Sequence, residues 1–235
     1  MKKILLASLI MAAFGSAHAQ VTGLSGNLGL TTDYRFRGIS QTQNGAAVQG
    51  GIDYAHKSGF YVGNWNSSVS SALFPASAGI ESDLYLGFKK EVFKGVTIDV
   101  GTMNYVYSRA SSFGTSEVYA GVGYGPVTVK VSQSLSNYFG VADSVGSRYY
   151  QADLAQPITS KITLGAHVGR TFVNNSTSLD YTDYRVGASY DAAGWVFGAN
   201  FYTNNNYGSS AKAAMTVAGQ SLYKNTVVLS VAKSF

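Results

Sequence analysis

The 235-residue chain has no cysteine, only 3 prolines and a charged fraction of just 12%. Without cysteine there are no disulfide staples, no thiolate nucleophile and no Cys-ligated metal site. A soluble domain ordinarily has about a quarter of its residues charged, so an ordinary water-facing surface is excluded. Lysine and arginine form no block, which removes the electrostatic footprint of a nucleic-acid binder. Long apolar runs are missing too. The stretch Ile4 to Phe14 has 11 residues, short of the about 20 that a membrane helix needs.

What is present is glycine and tyrosine, 27 and 17 residues respectively. Together with the low charge, they suit a chain whose solvent is partly lipid. At the N-terminus, Lys2 and Lys3 precede the apolar run, and Ala17-His18-Ala19 supplies a small-x-small site before Gln20. Residues 1–19 therefore read as a cleaved export signal, and 20–235 as a single mature domain. Losing Lys2 and Lys3 lowers the formal charge from +5 to +3.

The mature chain alternates with period two almost throughout. Leu24, Leu28, Leu30, Tyr34 and Phe36 share one parity, while Ser25, Asn27, Asp33, Arg35 and Arg37 share the other. Val127, Val129 and Val131 alternate in the same way with Thr128, Lys130 and Ser132. Such segments are strands with one oily and one wet side. About twelve are expected, near 24–36, 46–56, 60–68, 80–90, 96–107, 116–124, 127–135, 148–156, 162–172, 183–190, 195–202 and 224–235. The fifth changes parity between Val100 and Met103, which predicts either a β-bulge near Thr102 or inward-facing aromatics.

Connections alternate between tight and long. Lys57-Ser58-Gly59, Lys94-Gly95, Gly125-Pro126, Ser160-Lys161 and Ala193-Gly194 are tight turns. Longer polar stretches lie between them, and 203–223 is the longest, a candidate to fold inward as a constriction. The expected fold is an all-β, closed, antiparallel up-and-down transmembrane β-barrel with long extracellular loops and both termini in the periplasm. Only helices and closed barrels satisfy every backbone group in lipid. A soluble barrel of this strand number would enclose a large dry cavity, so the oily face belongs outside. Aromatics near strand ends (Tyr34, Phe36, Tyr54, Phe60, Phe88, Tyr124, Tyr190, Trp195) then fit interfacial girdles.

In the last strand, Val227, Leu229 and Val231 share a face with the terminal Phe235. This ending looks like the C-terminal signal read by the barrel-assembly machinery, although Lys233 interrupts the apolar set.

Several segments resemble the TorF-like porin family of proteobacteria. They are Asp33-Tyr34-Arg35-Phe36-Arg37-Gly38-Ile39-Ser40-Gln41, Val48-Gln49-Gly50-Gly51-Ile52-Asp53-Tyr54, Gly59-Phe60-Tyr61-Val62-Gly63-Asn64-Trp65, and the set Glu81, Asp83, Tyr85 and Gly87. Ala46 and Ser108 stand where the family pattern has proline. The resemblance implies a barrel in the outer membrane of a Gram-negative bacterium, with outer-membrane lipids as its surroundings.

The residues expected to line the lumen or its mouth are Asp33, Arg35, Arg37, Asn64, Glu81, Asp83, Glu117, Lys130, His167, Asp183 and Arg185. Arg35 and Arg37 are expected to be held by nearby carboxylates through bidentate bonds. Charges lining a water-filled bore tune solute passage, so the leading expectation is a channel for passive diffusion of small hydrophilic solutes or ions. A non-conducting structural or adhesive barrel is the alternative. A membrane-embedded hydrolase is a further one, for which His56 and His167 are the histidines available to the mature chain. No cofactor and no metal is expected, and no enzymatic activity.

Overall fold

The computed structural model describes residues 22–74, 79–205 and 209–235. The export signal expected at 1–19 lies outside the described residues. Twelve strands form one closed barrel: β1 (Gly23–Thr31), β2 (Ala47–Ala55), β3 (Phe60–Ser68), β4 (Ile80–Phe93), β5 (Val96–Tyr107), β6 (Thr115–Tyr124), β7 (Val127–Ser134), β8 (Arg148–Pro157), β9 (Ile162–Phe172), β10 (Tyr181–Ala192), β11 (Trp195–Asn205) and β12 (Thr226–Ser234). Each pairs antiparallel with its neighbours in sequence, and β12 closes onto β1 from Thr31↔Ser230 to Asn27↔Ser234. Closure leaves no sheet edge unpaired.

Five tight turns stand at one end, and the longer connections stand at the other. At the β10–β11 turn, Ala193 and Gly194 both have positive φ, 56° and 83°. A two-residue hairpin of this hand matches the strand twist, and glycine takes the second position without steric cost.

Side chains sort by parity. Leu28, Ile52, Leu86, Val129, Phe197 and Leu229 are exposed on the outside, whereas Glu81, Glu117, Asp153, Asp183 and Arg185 are buried inside. Each large apolar side chain left in water forfeits about 1.5–3 kcal/mol. A continuous belt of them therefore calls for an apolar solvent around the wall.

Two expectations change, and on β5 the second of the two alternatives holds. Strand β1 ends at Thr31 instead of running to 36, because the chain there leaves the wall and turns into the bore. Tyr34 and Phe36 accordingly sit inside and are not girdle residues: Tyr34 packs edge-on to Trp65, and Phe36 to Tyr105. The β5 register runs unbroken through Thr102 against both neighbours, so no bulge exists there. Tyr105 and Tyr107 point inward instead, and the irregularity of the β4–β5 pair lies between Glu91 and Phe93.

Candidate functional site

The site is the filled bore at the long-loop end. After Thr31 the chain forms a short hairpin inside the barrel, pairing Arg35–Phe36 with Ile39–Ser40. Its turn is Arg37-Gly38, with φ of 47° and 77°. Gly38 is required sterically as well, since a Cβ there would come within 2.6 Å of the Asp183 Cβ on β10.

Asp33 organises the base of the hairpin. Its carboxylate accepts from Arg35 Nε at 2.6 Å, from the Ser40 hydroxyl at 2.6 Å and from the Thr42 hydroxyl at 3.2 Å. Arg35 spends its remaining donors on the carbonyls of Gly38, Leu222 and Lys224 and on Asn44 Oδ1. The Leu222 and Lys224 carbonyls tie the hairpin to the last long loop, and Leu222 O also accepts from Ser40 N. The inward constriction is therefore segment 32–45. The described part of 203–223 covers it and does not itself form the hairpin.

Arg37 spans to the opposite wall. It donates two parallel hydrogen bonds to Glu117 on β6, at 2.9 and 2.7 Å, and a third to the Tyr138 hydroxyl at 3.0 Å. Its guanidinium lies 4.2 Å from the centroid of the Tyr149 ring on β8. Such a bidentate, stacked arginine holds both position and orientation.

Around the hairpin the wall is aromatic. Tyr34, Tyr105, Tyr107, Val69 and Phe74 form a buried cluster, with Phe36, Trp65, Met103 and Phe139 packed against it. Within it, Glu81 is 1% exposed and accepts from the Tyr34 and Tyr107 hydroxyls at 2.9 and 2.8 Å. Asp83, one inward step further along β4, has its Oδ1 buried without a hydrogen-bond partner among the described residues.

The far wall carries a second network. His167 on β9 faces Asp153 through Nδ1 at 2.7 Å and Asp183 through Nε2 at 3.1 Å. The Tyr149 hydroxyl reaches His167 Nε2 at 2.9 Å and both oxygens of Asp183. Arg185 lies 3.5 Å from Asp153. The plug tip rests on this network, because Arg37 covers Tyr149 and Gly38 abuts Asp183.

Toward the short-turn end the inward charged side chains meet tyrosines. Asp53 accepts from Tyr85, and Asp99 accepts from Tyr61 at 2.7 Å. The Lys130 ammonium lies over the Tyr119 ring at 5.2 Å. Among the described residues no group of three or more His, Asp or Glu side chains could hold a metal ion.

Ten of the eleven expected lining residues thus occupy the interior, Asp33, Arg35 and Arg37 on the hairpin and the others on the wall. Asn64 does not. It shares the outward parity of Phe60 and Val62, because its neighbour Trp65 turns inward to meet Tyr34. On the outside Asn64 pairs with Asn66, which accepts from Ser82 at 2.7 Å. Sequence reading missed Tyr138 and Tyr149 as plug contacts. The excess of tyrosine in the chain and the parity change on β5 were the hints of an aromatic interior.

The profile of a bacterial family described as "Bacterial protein of unknown function (Gcw_chp)" matches residues 16–235. The chain belongs to this family. No curated protein is significantly similar in sequence. Among solved structures, a KdgM porin superposes with TM-score 0.57 at 9% identity, covering 90% of this chain and 98% of that one. A NanC porin gives 0.57 at 9% identity, with 91% and 99% covered. An outer membrane channel from Pseudomonas putida F1 gives 0.50 at 11% identity, with 94% and 98% covered. At such identities the likeness is one of fold, and it extends over nearly the whole of each barrel.

Proposed function

We propose that this family member is an outer-membrane channel for passive diffusion of small hydrophilic solutes or ions, closed at its outer mouth by the hairpin of segment 32–45. The reversed faces carry the reading. An apolar exterior around charged inward side chains is the arrangement of a barrel that lipid surrounds and water enters. The TorF-like segments and the porin-like fold support the same assignment. The long loops then face the cell exterior, both termini lie in the periplasm, and residues 1–19 are removed on export. Phe235 addresses the chain to the barrel-assembly machinery.

The plug is held by side-chain contacts and by backbone bonds to neighbouring loops, and its two strands pair only with each other and not with the barrel ladder, so it can leave without opening the wall. Transport is favoured over hydrolysis because His167 is committed to two carboxylates and the Tyr149 hydroxyl, with no serine or threonine bonded to it among the described residues, while His56 meets the Ser58 hydroxyl at 2.7 Å in the exposed β2–β3 turn with no carboxylate bonded to orient it among those residues. The burial of Glu81, Glu117 and Arg35 favours the second reading, a non-conducting structural barrel.

Swelling of proteoliposomes in isosmotic sugars of graded size separates the two. Swelling that is faster for small sugars, and faster again when segment 32–45 is weakened, supports the channel. Folded, inserted protein that never swells the vesicles, with or without its plug, supports the structural barrel.

A further inference from the structure

On the outer wall, at the long-loop end of β8 and β9, two arginines stand without a carboxylate partner among the described residues. Arg148 shares the outward parity of Tyr150, and Arg170 that of Phe172, both aromatics being exposed. The register sets Arg148 opposite Phe172 and Tyr150 opposite Arg170, so the two arginines are diagonal neighbours on adjacent strands. Diagonal partners of this kind lie about 7–8 Å apart, within joint reach of one small group.

Neither guanidinium forms an ion pair among the described residues. Arg148 Nε donates to the Gln133 amide oxygen at 3.0 Å, and Arg170 Nη1 to the Thr182 hydroxyl at 3.1 Å. Arg170 also lies 5.1 Å from the Phe172 centroid, and Phe172 meets Tyr150 edge-on at 5.9 Å. The nearby Asp180 accepts from Val173 N at 2.7 Å. The patch thus combines two oriented cations, neutral hydrogen-bonding neighbours and aromatic faces, on a wall surrounded by apolar side chains.

We infer that Arg148 and Arg170 form a binding site for the phosphate groups of an anionic glycolipid in the outer leaflet. A guanidinium pair matches phosphate in charge and in donor geometry. The rings of Tyr150 and Phe172 lie where the acyl chains begin. A soluble acidic partner would have no use for cations that project sideways from the wall. The inference rests on the outer-membrane reading, which places this rim in the outer leaflet.

The test presents the refolded mature chain, in mixed micelles, with equal amounts of lipid A and its dephosphorylated form, and counts retained lipids by native mass spectrometry. The phosphorylated form should be retained about tenfold or more over the other. In Arg148→Gln/Arg170→Gln the ratio should fall to near one while the heat-modifiable gel band persists. If the double variant does not fold, the wild-type ratio decides alone. Equal retention of both forms by the wild type overturns the site, as does displacement by equimolar inorganic phosphate. A wild-type chain that will not insert into vesicles at all overturns the outer-membrane reading, and this site with it.

Discussion

Arg37 and Glu117 face each other across the bore and share two hydrogen bonds of 2.9 and 2.7 Å, joining the β1–β2 connection to the opposite wall. Both side chains are almost fully buried. Breaking a buried pair by removing one partner costs about 3–5 kcal/mol. With no native cysteine, a single Ile39→Cys label reports on the hairpin cleanly. Adding Arg37→Ala should raise its reaction with an impermeant maleimide roughly a hundredfold or more. An unchanged labelling rate would show that the pair does not hold the plug.

Gly38 gives an independent handle. Gly38→Ala places a methyl against Asp183 and in a backbone region that costs a non-glycine residue about 1–2 kcal/mol. The hairpin should loosen while the barrel persists, so Ile39→Cys should again label faster with the heat-modifiable band unshifted. Loss of that band instead would mean that the hairpin supports the wall.

Neighbouring residues on β7 test the faces. Val129 is 49% exposed on the outside, whereas Thr128 points inward toward Asp153. Val129→Lys should cost roughly 2–4 kcal/mol near the bilayer midplane. Thr128→Lys should change urea-unfolding stability in lipid by less than about 1 kcal/mol, since it enters a polar bore. Equal costs would reverse the assignment of inside and outside.

The strands and turns were legible because lipid and lumen impose opposite polarity on successive residues, and Leu24 to Thr31 or Val127 to Ser134 record this directly. The upper bore was not, because there the interior is an aromatic core. Trp65, Tyr105 and Tyr107 turn inward and Asn64 outward, inverting the polarity rule on β3 and β5. The same inversion made the parity change on β5 look like a bulge and extended β1 through Tyr34 and Phe36. Phe36-Arg37-Gly38-Ile39 was the available signal, a turn glycine between two apolar residues. Which carboxylate meets which arginine depends on contacts across the bore, which no strand pattern encodes. Arg37 finds Glu117, while Glu81 is taken by tyrosines.

Phe235 is 79% exposed, with its backbone bonded to Gly26 at 2.8 and 3.0 Å. Its deletion removes two of the many ladder bonds and an outward ring. Refolding in detergent should be nearly unaffected, while outer-membrane levels in cells should fall if Phe235 is the residue that the assembly machinery reads. Equal levels of the two proteins in isolated outer membranes would remove the assembly role from Phe235, Val231, Leu229 and Val227.

Single-channel recording in a planar bilayer tests most directly the claim that this is a channel closed by its own hairpin. Wild type and Arg37→Ala are compared, both verified as folded by heat modifiability. The account predicts rare or small openings from the wild type and frequent, discrete ohmic steps from Arg37→Ala. Silence from both proteins, or identical conductance from both, would contradict it.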